Sequence, residues 1–145
     1  MPITAYSPKE ATATREEWTR AVAALVDDVE RWAHEKDWVT RRTEKEINEE
    51  AVGRYTVPGL EIDVPEYGEG AFLQPIARVV SGGAGRVDFS AYPTLSRVHL
   101  YRDADELRRS GASKWIIHTE SRLRLKADWK RETFYDIVTE WLSEI

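Results

Sequence analysis

The stretch WIIHTESRLRLKADWKRETFYDIVTEWLSEI, residues 115–145, decides the fold, because its apolar spacing changes at Asp128. Before Asp128 the apolar residues come two apart, Trp115 with Ile117 and Leu123 with Leu125, which is the period of a half-buried strand. After it Phe134, Ile137, Val138, Trp141, Leu142 and Ile145 recur every three or four residues, which is the period of an amphipathic helix. Asp128 suits the N-cap of that helix, since its carboxylate can accept from a free backbone N–H.

The other end of the chain repeats the helical pattern. Trp18, Ala21, Val22, Leu25, Val26, Val29, Trp32 and Ala33 form one stripe that predicts a helix to about Lys36. Thr14 and Glu17 have capping-box spacing, which puts the helix start there and leaves residues 1–12 as an irregular arm.

Strand patterns fill the centre. Trp38 to Thr43 reads as a first strand and Glu44 to Ala51 as a charge-rich connection. Leu60, Ile62 and Val64 alternate with Glu61 and Asp63, and Pro58-Gly59 should bend or turn the chain just before them. Phe72 to Val80 reads as another strand, whose Pro75 asks for an edge position or a bulge. Ser81-Gly-Gly-Ala-Gly85 is the strongest turn signal and should close a hairpin. In the next strand Val87, Phe89 and Ala91 point inward while Asp88, Ser90 and Tyr92 point outward, and Leu95 to Arg102 follows beyond Pro93. Residues 103–112 are a polar loop, and Ser113 to Lys126 is two short strands or one bent one.

The expected fold is therefore one α+β domain over residues 1–145. It has a largely antiparallel sheet of five or six strands, because the connections are short. An N-terminal and a C-terminal amphipathic helix bracket the sheet and pack on one face, leaving the other partly open. The helix, meander, helix order resembles the layout of several small α+β binding folds, secretion-chaperone-like domains among them; a likeness of layout gives no residue a role.

Composition bounds the function more than it defines it. A chain of 145 residues can bury an adequate core without staples, and its six Trp make that core aromatic-rich. With no Cys, disulfides, thiolate chemistry and Cys-based metal sites are excluded. No apolar run approaches the ~20 residues that a membrane span needs. The first fourteen residues carry two prolines and no apolar segment, so a secretory signal is not expected and the protein reads as cytoplasmic. Charge is segregated: residues 1–85 carry net −6, residues 86–131 net +5 and residues 132–145 net −4.

By alternation the open face should carry Glu61, Asp63, Arg78, Asp88, Ser90, Tyr92, Arg97, His99, Tyr101, Ile116, His118 and Glu120. Antiparallel pairing across the 103–112 loop would bring His99 beside His118, with Tyr101 and Glu120 on the same side. Two His with a phenol and a carboxylate can do acid–base work near neutral pH, although cross-strand packing explains the same residues. Glu61 and Asp63, with Asp88, Glu120 and Lys126, have the outline of a Mg²⁺ site, but a solvated acidic face accounts for them and no metal is expected. Arg122, Arg124 and Lys126 alternate along one strand, with Lys130 and Arg131 after them. That ladder could touch phosphates, yet the overall pI is about 5.3 and the same charges protect a strand edge, so nucleic acid is not the expected partner. The glycines at 82, 83 and 85 lack the spacing and the following Lys-Ser/Thr of a phosphate loop, and no Gly-x-Ser-x-Gly occurs. His34, near a helix C-terminus, has a dipole reason to be there.

No catalytic or cofactor motif emerges. The favoured expectation is a non-enzymatic binding domain that engages a protein partner, or a second copy of itself, through the open sheet face or a strand edge. Tyr92, Arg97 and Tyr101 are its anchors, residues of the types that interfaces enrich. The competing expectation is an enzyme or small-ligand cup built from His99, His118, Tyr101 and Glu120.

Overall fold

A computed structural model describes residues 6–65, 69–79, 83–92, 96–119 and 126–143, apart from the side chains of Glu69, Tyr92, Thr119, Lys126, Leu142 and Ser143. The described elements run α1 (Pro8–Glu35), β1 (Val39–Glu49), β2 (Gly53–Val64), β3 (Glu69–Ala77), β4 (Arg86–Tyr92), β5 (Arg97–Arg102), α2 (Ala104–Ser110), β6 (Trp115–Thr119), β7 (Lys126–Asp128) and α3 (Arg131–Ser143). The strands form one sheet in the order β1-β2-β3-β4-β5-β6-β7, every neighbour antiparallel. The α+β class and the antiparallel meander are those expected, with seven strands in place of five or six. The stretch from Trp115 onward is two strands rather than one bent strand, the second only three residues long.

Both long helices cover the same face. From α1, Trp18, Val22, Val26, Val29 and Ala33 are fully buried, and from α3 Phe134 and Val138 are buried with them. Beneath lie Leu60, Ile62, Leu73, Val87, Phe89, Leu100 and Ile117, one side of five consecutive strands. Phe89 sits under α3, 5.5 Å from Phe134 and 5.0 Å from Trp141 between ring centroids. The helices meet where Trp32 packs 5.9 Å from Phe134 and the Tyr135 hydroxyl donates to Trp32 O at 2.7 Å. Each such fully buried Val, Leu, Ile or Phe contributes roughly 1.5–3 kcal/mol relative to exposure, so this one layer carries the fold.

Several local expectations are corrected. Helix α1 begins at Pro8, so residues 8–12 are helical rather than an arm, and residues 1–5 lie outside the described set. The capping box is Ser7 with Glu10, not Thr14 with Glu17. Ser7 Oγ accepts from the Glu10 N–H at 3.1 Å while Glu10 Oε1 accepts from the Ser7 N–H at 3.2 Å. Pro8 follows the cap at the helix position where a missing N–H costs nothing. At the other end Asp128 does not cap α3. The Trp129 N–H still donates to Trp115 O at 3.0 Å, which holds the chain on the sheet, and the first helical bond runs from the Phe134 N–H to Lys130 O.

Residues 44–49 are strand, not connection, paired in unbroken register with 53–58. Pro58 and Gly59 do not end β2. They mark where its inward parity switches: Leu60, Ile62 and Val64 are buried beyond them, whereas Val57 is buried before them. Gly59 is needed there because a Cβ would meet Thr43 Oγ1 at 2.6 Å and Leu73 O at 2.8 Å. Pro75 has its bulge, between Pro75 and Ala77, although β3 is an inner strand. β3 and β4 are antiparallel neighbours, as the expected hairpin requires, while residues 80–82 between them lie outside the described residues. Gly85, at φ 135°, lies against the Trp18 ring where no side chain fits.

Candidate functional site

The strand register assembles a polar row on the face away from the helices. Gln74 of β3 stands opposite Asp88 of β4, Asp88 opposite His99 of β5, His99 opposite His118 of β6, and His118 opposite Lys126 of β7. The expected His99–His118 pairing is therefore present in the register.

Backbone geometry decides which neighbours touch. The Arg102 N–H donates to Gly85 O at 2.9 Å, so 85 and 102 are a hydrogen-bonded pair of the β4–β5 ladder. Counting by alternation, Asp88 and His99 fall on a non-hydrogen-bonded pair, the kind with closer side chains. On the other side the Asp103 N–H donates to Lys114 O at 2.8 Å, which makes His99 and His118 a hydrogen-bonded, wider pair. His99 accordingly engages Asp88, with Nδ1 2.7 Å from Oδ1. Tyr101 fills the space beside His118, its ring edge-on at 5.2 Å and 6.3 Å from the His99 ring.

Arg86, two residues before Asp88 and so on the same face, completes the cluster. Its Nε donates to Asp88 Oδ1 at 2.8 Å and its Nη2 to Oδ2 at 2.9 Å. Asp88 is 5% exposed and His99 6%, so this part of the open face is dry. Burial pushes the Asp88 carboxyl up, but the hydrogen bonds from Arg86 and His99, with the charge of both, hold it below its ordinary value. An ionised carboxylate only accepts, so His99 donates from Nδ1 and its neutral form carries the lone pair on Nε2. This is an oriented Asp–His pair, capable of proton transfer in principle and of fixing a rigid polar floor in any case.

Around that floor the face changes character. Arg41, Glu61, Phe72, Ser90 and Arg97 form a second row across β1 to β5. Arg41 places two nitrogens on Glu61. Phe72 is 36% exposed, a large apolar group unusual on such a face, and Arg97 is exposed. Asp63 is exposed beside Glu61, whose charge is matched by Arg41, and among the described residues no three His, Asp or Glu side chains group to hold an ion. Arg78 does not join the face: it is largely buried against the β1–β2 hairpin, with Nε and Nη2 on Glu49 Oε2 at 3.1 and 3.0 Å. Glu120, Arg122 and Arg124 lie outside the described residues, as do the side chains of Tyr92 and Lys126. His34 meets Thr40 Oγ1 at 2.8 Å in a charged concavity where Arg42 bridges Asp27 and Glu30.

Alternation puts Asp88 on the right face but groups it with the carboxylates rather than with His99, and passes over Arg86 and Phe72. The i, i+2 spacing of Arg86 and Asp88 was a usable signal. Phe72 had none, because Phe72 and Leu73 are adjacent apolar residues and alternation alone does not say which is inward. No helix among the described residues is long and apolar enough to cross a membrane. Comparison with protein-family models, with curated proteins and with solved structures finds no match to this chain.

Proposed function

We propose that this chain is a non-enzymatic cytoplasmic interaction domain whose open sheet face binds a protein partner or a second copy of itself. The supporting observation is the contrast on that face between a dry, charge-paired centre and the accessible groups next to it. Arg86, Asp88 and His99 hold one another rigid, so Tyr101 and Arg97 on β5 are presented by a floor that does not rearrange. Rigid aromatic and Arg side chains are the residues that carry most interface energy, because little entropy is lost when they are buried. Tyr92, Arg97 and Tyr101 are the anchors, with Phe72 as an additional apolar contact. Nucleic acid is not the partner in this reading, since the described face mixes both charge signs.

The test is a triple substitution of Tyr92, Arg97 and Tyr101 by Ala. The variant should melt as a cooperative domain by circular dichroism, yet lose the partner that the wild-type chain retains in a pull-down, or lose self-association in sedimentation velocity. A control substitution on the α1 surface, Arg20→Ala, should retain both. Binding undiminished in the triple variant removes the face from consideration.

The short Asp88–His99 contact favours a second reading, an acid–base site with Tyr101 and His118 beside it. It requires turnover of a simple ester or phosphoester that His99→Gln abolishes while the fold is kept. Absence of turnover in the wild-type chain across such substrates dismisses it.

A further inference from the structure

The sheet has one long unpartnered edge. β1 lies outside β2, and no strand among the described residues pairs with its other side. It runs eleven residues, Val39–Glu49, against three for β7 at the opposite edge. Its register with β2 is unbroken, and it contains neither Pro nor bulge. Beyond the ladder with β2, no backbone hydrogen bond among the described residues reaches residues 39–49. Alternate residues of an edge strand direct N–H and C=O outward, so β1 presents a row of donors and acceptors about 36 Å long at 3.3 Å per residue.

Edge strands are ordinarily guarded by shortness, by Pro, by bulges or by charged side chains that obstruct another strand. β1 has the charges, but they are drawn back over its own sheet and helix. Arg41 Nε donates to Glu61 of β2 at 2.9 Å, and Lys45 Nζ reaches past β2 to Pro75 O of β3 at 2.9 Å. Arg42 bridges Asp27 and Glu30 of α1. Glu46 is held by Arg54 of β2, and Glu49 by Arg78. Of the charged residues on β1, Glu44 is the one with no ionic partner among the described residues, and it is exposed.

We propose that β1 pairs antiparallel with β1 of a second copy, across a twofold axis at Thr43. Side chains alternate between the faces, so a twofold axis through the sheet sets residues of like parity opposite each other. With Thr43 on the axis, Arg42 faces Glu44 of the second copy, and Val39, 56% exposed, faces Ile47; symmetry makes each pair twice. The like pair, Arg41 with Lys45, is relieved by Glu61 and Pro75 O. Other registers fit worse. An axis at Glu44 or at Arg42 sets that charge against itself, and an axis at Lys45 sets Glu44 against Glu46. Because β1 complements itself in this way, the occupant is a second copy rather than an unrelated strand. The inference assigns self-association to the edge, leaves the open face to a different protein, and does not rest on the anchors of that face.

The chain has no Cys, so single-Cys variants report the register. Thr43→Cys stands opposite itself at the ~4.5–5.5 Å Cα separation of an antiparallel pair, which a disulfide spans. It should form a covalent dimer under oxidised glutathione. Asn48→Cys, exposed on the same strand but about 33 Å from its own copy, should not. In sedimentation velocity the wild-type chain should dimerise reversibly. Glu44→Lys, which turns two attractive pairs into repulsive ones, should weaken the dimer roughly tenfold. All three variants should keep the wild-type melting curve. The triple substitution of Tyr92, Arg97 and Tyr101 should keep the dimer, whatever it does to binding of another protein. A wild-type chain that stays monomeric at about 0.5 mM, an unchanged dimer in Glu44→Lys, or cross-linking of Asn48→Cys as readily as Thr43→Cys would each overturn the assignment. Loss of the dimer in the triple substitution would also overturn it, by moving self-association to the face.

Discussion

Replacing Asp88 with alanine tests the polar floor directly. The carboxylate accepts from Arg86 Nε and Nη2 and from His99 Nδ1, at 2.8, 2.9 and 2.7 Å. The two donors lose unequally. The Arg86 side chain is 28% exposed and can turn to water, so its loss is about 1 kcal/mol after solvent screening. The His99 side chain is 7% exposed, and a buried donor deprived of its acceptor costs about 1–3 kcal/mol. Together the substitution should destabilise the domain by about 3 kcal/mol at pH 7, which is about 10 °C in Tm for a chain of this size.

The pH dependence has a definite sign. The Asp88 carboxyl is lowered in the folded state from its ordinary value of 3.8. A lowered acid stabilises the fold above its unfolded pKa, and that contribution drains away as pH falls through the folded value. Urea titrations followed by circular dichroism should therefore show the full gap between wild type and Asp88→Ala at pH 5 to 7, and a narrowing gap toward pH 3. A loss under 1 kcal/mol at pH 7, or a gap that does not change between pH 5 and pH 3, would refute the reasoning.

Two further outcomes test the core behind the site. Gly85→Ala forces a Cβ into the Trp18 ring from a backbone at φ 135°, and should cost about 3 kcal/mol by denaturant titration; a value below 1 kcal/mol would show that Trp18 can move aside. Glu17→Ala removes the bidentate partner of Arg102, which donates to it at 2.6 and 3.0 Å. Arg102 keeps its bond to Ala84 O and its place over the Trp18 ring, and the Glu17 side chain is 45% exposed, so the loss should be about 1–3 kcal/mol, whereas Glu16→Ala on the exposed neighbour should cost under about 0.5 kcal/mol.

Much of this architecture is legible in the chain because its apolar residues obey one period at a time. The α1 stripe and the Phe134–Trp141 pattern each need only one buried side, and each matches the helix found. The failures have separate causes. Ser7 with Glu10 and Thr14 with Glu17 have the same spacing, and tertiary contact decides between them: Glu17 is paired with Arg102 of β5 and is not available to cap. Residues 44–49 look like a connection because they are charged on both faces. They hold as a strand through partners that local pattern does not reveal, Arg54 on Glu46 at 2.9 Å and Lys45 Nζ on Pro75 O at 2.9 Å. The parity switch at Gly59 defeats any reading that carries one alternation through a whole strand.

The site was legible only as a face. Alternation puts Asp88, His99, Tyr101 and His118 on one side, but which of them touch depends on register and on whether a pair is narrow or wide. Those are set by the connections between strands, and neither the residues linking β4 to β5 nor the α2 connection carries a sequence signature that fixes them. The face was expected to be partly open, and its centre, at Asp88 and His99, is buried. That difference sharpens the argument. An apolar trio of similar volume at positions 86, 88 and 99 would satisfy the packing without desolvating charge, and buried ion pairs commonly gain nothing over such a replacement. A charge-paired centre is therefore not required by stability. What it does provide is orientation, since each donor fixes the next, and orientation matters only to side chains that must meet something else. Tyr101 and His118 lean on that row, and Arg97 extends from the same strand. On the reading proposed above, Tyr101 and His118, which pack against that row, are among the groups through which this face would meet a partner.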